Sequence, residues 1–212
     1  MKDLPVFTTE NGVASLTLRE IPYSKKAYIR IQSALNPEGL LKDCTDFCKA
    51  VGAENIYATG NESLKSYSVH ASIIRMVGTK GKSWLTNATA IPLTGSKLSW
   101  FRDIYNEKMS DVPNAAYMTA SDADTLLASG KGYIIIKEEN NIGIGVAAKG
   151  TIEMLAATAP GEGASVLYAL ATVLPDQKIE LEVAMENQRA MALYEKAGFC
   201  IDERISTWYK IL

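Results

Sequence analysis

The chain is poor in the residues that build metal centres and disulfide frameworks: it has one histidine, His70, and three cysteines in 212 residues. A zinc site needs about four Cys or His ligands, and only Cys44 and Cys48 stand close together in the sequence. They share one face of a helix while Cys200 lies far away, so they read as buried thiols rather than as a disulfide framework, and no metal is expected. No apolar run reaches the roughly 18 residues of a membrane span. Met1-Lys-Asp-Leu-Pro lacks the apolar core of a signal peptide, so a cytoplasmic protein with no membrane partner is expected. Neither charge is in excess. With 22 basic against 24 acidic side chains, a net charge of −2 and no basic tract, nothing draws the chain to nucleic acid.

What is present is alternation and capped periodicity, over a length that suits one large domain or two small ones. Val6 to Thr9 and Val13 to Leu18 read as strands joined by the hairpin turn Asn11-Gly12. Ala27 to Ser33 is a further strand. Asn36-Pro37-Glu38 then starts a helix whose apolar face is Leu40, Leu41, Cys44, Phe47, Cys48 and Val51, and Gly52 stops it. Strands follow at Asn55 to Thr59 and Ser68 to Val77. Thr79-Lys-Gly-Lys82 reads as a boundary, giving a smaller α/β domain over residues 1–82 and a second over 83–212.

The second section reads as a strand from Trp84 to Leu93, a helix from Lys97 to Met109, and another capped by Ser121 and running to Gly130. Strands at Gly132 to Glu138, Ile142 to Ala148 and Thr151 to Ala157 follow one another. Next come Gly161 and Gly163, a helix from about Ala164 to Val173, and a strand at Lys178 to Val183. Asn187 to Phe199 is a short helix with both ends marked. Asn187 can accept from the first free N–H groups and Gly198 can take the left-handed conformation that closes it. Ala190, Met191, Leu193, Tyr194 and Ala197 form its apolar stripe.

Strand, Asn187, two variable residues, Ala190, then Leu193-Tyr-Glu-Lys-Ala-Gly-Phe199 closely resembles the C-terminal motif of the GNAT superfamily, the Gcn5-related acyl-CoA N-acyltransferases. The element order of 83–212 matches that family throughout. The resemblance implies an α/β (α+β) fold with a mixed central sheet, and the first section is weakly similar to a degenerate second copy. It also implies acetyl-CoA as cofactor and a primary amine, on a small molecule or peptide, as acceptor. The phosphates would lie on the glycine turn Thr158-Ala-Pro-Gly161-Glu162-Gly163-Ala164-Ser165, where a helix N-terminus offers free N–H groups and a favourable dipole. No Gly-Lys-Ser/Thr follows that turn, so it is not a nucleotide P-loop. The family places Gln or Arg at the first position of the turn; here it is Thr158, and Glu162 puts a carboxylate inside the loop.

By the same resemblance, backbone groups of Leu155, Ala156 and Ala157 would pair with the cofactor arm, and Asn187 would bind it besides capping its helix. Tyr194 would be the general acid for the thiolate leaving group. An alkyl amine is mostly protonated at neutral pH, and reaching its neutral form costs about 4 to 5 kcal/mol, so a base is needed. Glu153 is the candidate. Tyr105, Asn106, Asn114, Tyr117 and Trp208 are candidates for the acceptor groove. Each position also has a plain structural reading: a core aromatic, a cap, a solvated carboxylate, a tight turn. A catalytically inactive CoA-binding or regulatory module is the rival function, and an interaction scaffold the third. The last strand, with Ile205, Trp208, Ile211 and Leu212, could pair across a homodimer or simply end the sheet.

Overall fold

The computed structural model describes residues 5–82 and 84–212. The fold is mixed α+β, and the chain divides into two compact units, Met1–Ile73 with Arg204–Leu212, and Ile74–Glu203. Strands β5 (Val69–Thr79) and β11 (Cys200–Lys210) each carry a unit boundary within them.

In the first unit, β1 (Val6–Thr9) and β2 (Gly12–Thr17) form the expected hairpin, and β2 pairs antiparallel with β3 (Lys26–Ala34). The helix α2 (Pro37–Ala50) then crosses to β4 (Asn55–Thr59), which runs parallel to β3. Asn36 caps α2, its side chain accepting from the N–H of Gly39 at 3.1 Å, with Pro37 at the first position. Alternation sorts the faces: Ala27, Ile29 and Ile31 of β3 and Ile56 and Ala58 of β4 bury against Leu40, Leu41, Cys44 and Cys48 of α2. The two thiols are fully buried and free, whereas Cys200 is exposed. Two members of the expected helix face sit at its margin instead, Phe47 at 38% exposed and Val51 at 43%, with the Phe47 ring 5.1 Å from Phe7. The C-terminal part of β11 adds to β4 in antiparallel register, giving the order β1-β2-β3-β4-β11. The single-turn helix α1 (Ile21–Ser24) had no periodic signature long enough to read.

In the second unit the sheet order is β5-β10-β9-β8-β7-β6. Strand β6 is only Thr89–Pro92, shorter than the expected Trp84 to Leu93. Trp84 is an aromatic packing residue instead, stacked at 5.2 Å on Tyr168 and 5.7 Å on Phe199, with its indole N–H donating to Ala197 O at 3.0 Å. Helices α3 (Leu98–Met109) and α4 (Ala120–Ser129) follow. The cap of α4 is Thr119 rather than Ser121: Thr119 and Asp122 exchange side-chain and backbone hydrogen bonds as a capping box. Strands β7 (Gly132–Lys137), β8 (Asn140–Ala148) and β9 (Thr151–Ala157) form an antiparallel meander. Helix α5 (Gly163–Thr172) returns to β10 (Lys178–Ala184), and α6 (Gln188–Lys196) leads to β11. Val166, Leu167, Ala169, Leu170 and Ala171 of α5 are all buried, as a helix apolar on every side must be.

Candidate functional site

The site is organised by a local defect in β9. Val146 pairs with Met154 and Ala147 with Ile152, so Glu153 is an extra residue on β9, a β-bulge. A bulge bends its strand and increases its twist. Among the described residues, strands β9 and β10 pair in parallel at Thr151 with Glu180 and Ile152 with Leu181, and no further pair joins them beyond the bulge. The free edge can be read from the other side of β9. Thr158 N–H donates to Ile142 O at 2.9 Å, and antiparallel pairs alternate, so residues 156 and 154 bond to β8 while Leu155 and Ala157 turn their N–H and C=O toward the β10 side. An unpaired strand edge that opens from an apex is a place for an extended ligand to add backbone-like hydrogen bonds.

Two glycines bring α5 alongside this opening. A Cβ on Gly143 would lie 2.4 Å from Val166, and one on Gly145 would lie 2.5 Å from Leu170, so only glycine lets the helix rest this close to β8. The turn between β9 and α5 is held by Thr158, whose Oγ1 donates to Asn141 O at 2.9 Å, and by Gly161 at φ +84. A Cβ on Gly161 would meet nothing within 4 Å, which leaves room over the turn. The N-cap position of α5 is Glu162, which makes no side-chain cap, so the N–H groups of its first turn have no side-chain acceptor among the described residues. Instead Glu162 Oε1 pairs with Lys137 Nζ at 2.8 Å. That contact, with a hydrogen bond from Ser165, holds the Glu162 carboxyl below its ordinary value.

Helix α6 flanks the same turn: a Cβ on Gly163 would meet Leu193 at 3.4 Å. Asn187 caps α6, Oδ1 accepting from Ala190 N–H at 3.2 Å, and Gly198 adopts φ +89 at its end. Tyr194 is 7% exposed and shares a core cluster with Leu155, Ala157 and Val166. Burial pushes its phenol up to about 12.

Leu155 and Ala157 border the opening and Gly161 to Ser165 form the turn beside it, while Ala156 faces β8; Asn187 is placed by its cap on α6, and Tyr194 lies in the core cluster against which Leu155 and Ala157 pack. Glu153 stands at the apex, exposed, with Lys131 Nζ 2.8 Å from its carboxylate. Lys131, just before β7, and Lys137, its last residue, are about 20 Å apart along the chain direction, so Glu153 and the glycine turn mark the two ends of the opening. Of the acceptor candidates, Asn106 has both amide atoms bound to the backbone of Met118, at 3.0 and 2.8 Å, and pins the α3 to α4 connection. Asn114, at φ +61, has both amide atoms buried with no hydrogen-bond partner among the described residues. Tyr105 packs against the core beneath α3, and Tyr117 is 37% exposed. Trp208 belongs to the first unit, where Tyr28 meets its ring edge-on at 5.5 Å and Arg30 lies 5.4 Å over it. The pairing of Lys137 with Glu162 had no signal in the sequence, since the two are 25 positions apart. Among the described residues no His, Cys, Asp and Glu group could hold a metal ion, and no helix is long and apolar enough to cross a membrane.

A meander followed by a glycine turn, a buried helix and a parted parallel strand defines an α+β class whose opening suits an extended ligand with an anionic end. No protein-family model and no curated protein matches the chain. Solved structures do. A GCN5-related N-acetyltransferase from Sphaerobacter thermophilus superposes with a TM-score of 0.58 at 14% identity, over 93% of this chain and 75% of that one. One from Kribbella flavida gives 0.61 at 12%, over 96% and 58%. A conserved protein of unknown function from Staphylococcus epidermidis gives 0.58 at 8%, over 98% and 93%. The fold is that of the GCN5-related N-acetyltransferases.

Proposed function

We propose that the chain is an acyl-CoA-dependent N-acyltransferase that moves an acetyl group from acetyl-CoA to a primary amine on a small molecule or peptide. One observation carries the reading: β9 parts from β10 at the Glu153 bulge and leaves Leu155 and Ala157 facing a gap that leads to the uncapped first turn of α5. Leu155 to Ala157 would hold the pantetheine arm, and Gly161 to Ser165 the phosphates. Acetyl-CoA supplies the acetyl group activated as a thioester. Tyr194 would keep its proton at Oη throughout the neutral range. With its phenol at about 12, surrendering that proton to a thiolate of ordinary basicity costs about 5 kcal/mol, so Tyr194 would act chiefly as a hydrogen-bond donor. Glu153 at the apex would take the amine proton, which requires it to leave Lys131.

The first unit we read as a degenerate copy of the same fold. Its order β1-β2-β3-α2-β4 repeats β7-β8-β9-α5-β10, but β3 and β4 stay paired over five residues, from Lys26 with Asn55 to Arg30 with Thr59, against two between β9 and β10. A second functional reading, a CoA-binding regulatory module without turnover, is favoured by Thr158 being bound to β8 and by Glu162 standing in the loop.

Calorimetric titration with acetyl-CoA and desulfo-CoA tests the site. Micromolar binding abolished by Gly163→Trp, with turnover of an amine panel lowered by Tyr194→Phe, is expected. Binding without turnover of any amine selects the second reading, and no binding at millimolar cofactor refutes both.

A further inference from the structure

Lys137 and Glu162 form an ion pair at the glycine turn, and neither side chain takes part in the phosphate holding or the proton transfers above. We propose that Glu162 is a built-in anionic competitor beside the start of α5, and that Lys137 is the phosphate-binding residue it holds until a ligand phosphate displaces it. The proposal rests on the CoA reading of the preceding section and concerns how that site selects and admits its ligand.

Three observations converge. The first is the placement of the charge. A carboxylate at a helix N-terminus complements the dipole, as a bound phosphate does, so the free protein already carries the anion that a ligand would otherwise bring. The second is that Glu162 provides charge without closing the site. It makes no cap to the α5 backbone, and its side chain turns instead to Lys137 and Ser165, leaving the first-turn N–H groups available. The third is independent of the helix: the unpaired edge at Leu155 and Ala157 runs into this turn, so an extended ligand lying there ends beside the pair. The side chains of Lys137 and Glu162 are 26% and 23% exposed, enough for a ligand to reach them from solvent. Thr158, at the position where a cation or amide would serve the phosphates, is bound to Asn141 and Ile142 instead, so Lys137 on the neighbouring strand supplies the positive charge.

An anionic ligand must therefore separate the ion pair and then lie near a displaced carboxylate. The phosphate-bearing end of CoA is penalised and the phosphate-free arm is not. Calorimetry of the intact protein with CoA and, separately, with pantetheine reads this directly. Glu162→Gln is expected to tighten CoA about five- to tenfold, the effect of removing one charge some 5 Å from a dianion in partly screened water. Pantetheine affinity should stay within twofold. Lys137→Met should weaken CoA about tenfold, and melting curves of Glu162→Gln and Glu162→Ala verify that each variant is folded. CoA held equally or less tightly by Glu162→Gln than by the wild type overturns the inference while leaving the CoA site standing, as does an equal gain for pantetheine. Absence of CoA binding in the wild type and every variant overturns the inference together with the reading beneath it.

Discussion

Replacing Gly145 by alanine is the sharpest test of how the site is assembled. Gly145 lies in the middle of the meander, paired with Tyr133 of β7 and Leu155 of β9. An added Cβ would stand 2.5, 2.9 and 3.2 Å from Cδ2, Cδ1 and Cγ of Leu170, against the roughly 3.5–4.0 Å of a comfortable carbon contact. Leu170 is fully buried among Val166, Leu167 and the β10 side chains, so its side chain must retreat by about 1 Å into a filled core. Overpacking of this kind costs about 1–3 kcal/mol, or about 3–10 °C of melting temperature for a chain of this size. All three offending atoms belong to one side chain, so a double-mutant cycle isolates the cause. Leu170→Ala alone should cost about 2–5 kcal/mol through its cavity. The pair Gly145→Ala with Leu170→Ala should fall short of the sum by about 1–2 kcal/mol, since the new methyl enters the space vacated. Urea denaturation followed by circular dichroism measures each corner. Strict additivity, or a Gly145→Ala protein as stable as the wild type, would show that α5 is not seated on β8 by glycine.

Stability should also fall in alkali. Burial raises Cys44 from 9.0 to about 12, Cys48 from 9.0 to about 11 and Tyr194 from 10.0 to about 12, so the unfolded chain ionises first. The contribution is fully present below pH 9 and is lost as pH rises toward 12; the two thiols together account for about 3–4 kcal/mol between pH 9 and 11. Urea midpoints at pH 8.5 and 11 should show the drop, Cys44→Ala with Cys48→Ala should flatten it, and equal midpoints in the wild type would contradict it. Asn187→Ala should cost about 1 kcal/mol through loss of the α6 cap, whereas Asn187→Ser should retain most of it. If Asn187 also holds the cofactor arm, the serine variant keeps its melting temperature but loses acetyl-CoA affinity, and unchanged affinity confines the residue to capping.

Local chemistry made much of this protein legible in its sequence. Asn36 with Pro37 and Asn187 with Gly198 announced the ends of α2 and α6, because caps act on the few backbone groups beside them. Alternation of apolar and charged residues from Lys178 to Val183 fixed which side chains of β10 face inward, since a strand's period is two whatever it pairs with. What failed locally shows the same rule from the other side. Trp84 has strand-like neighbours but spends its ring on Tyr168 and Phe199. Phe47 sits on the apolar arc of α2 yet at its margin, because how wide an arc is covered depends on what covers it. Only the tertiary structure decided the rest: the Glu153 bulge that parts β9 from β10, the approach of α5 across Gly143 and Gly145, the Lys137 to Glu162 pair, and the pairing of the C-terminal part of β11 with β4. Each of these is a relation between segments distant in the chain, and a register, a close approach or an ion pair is set by the partner as much as by the residue itself.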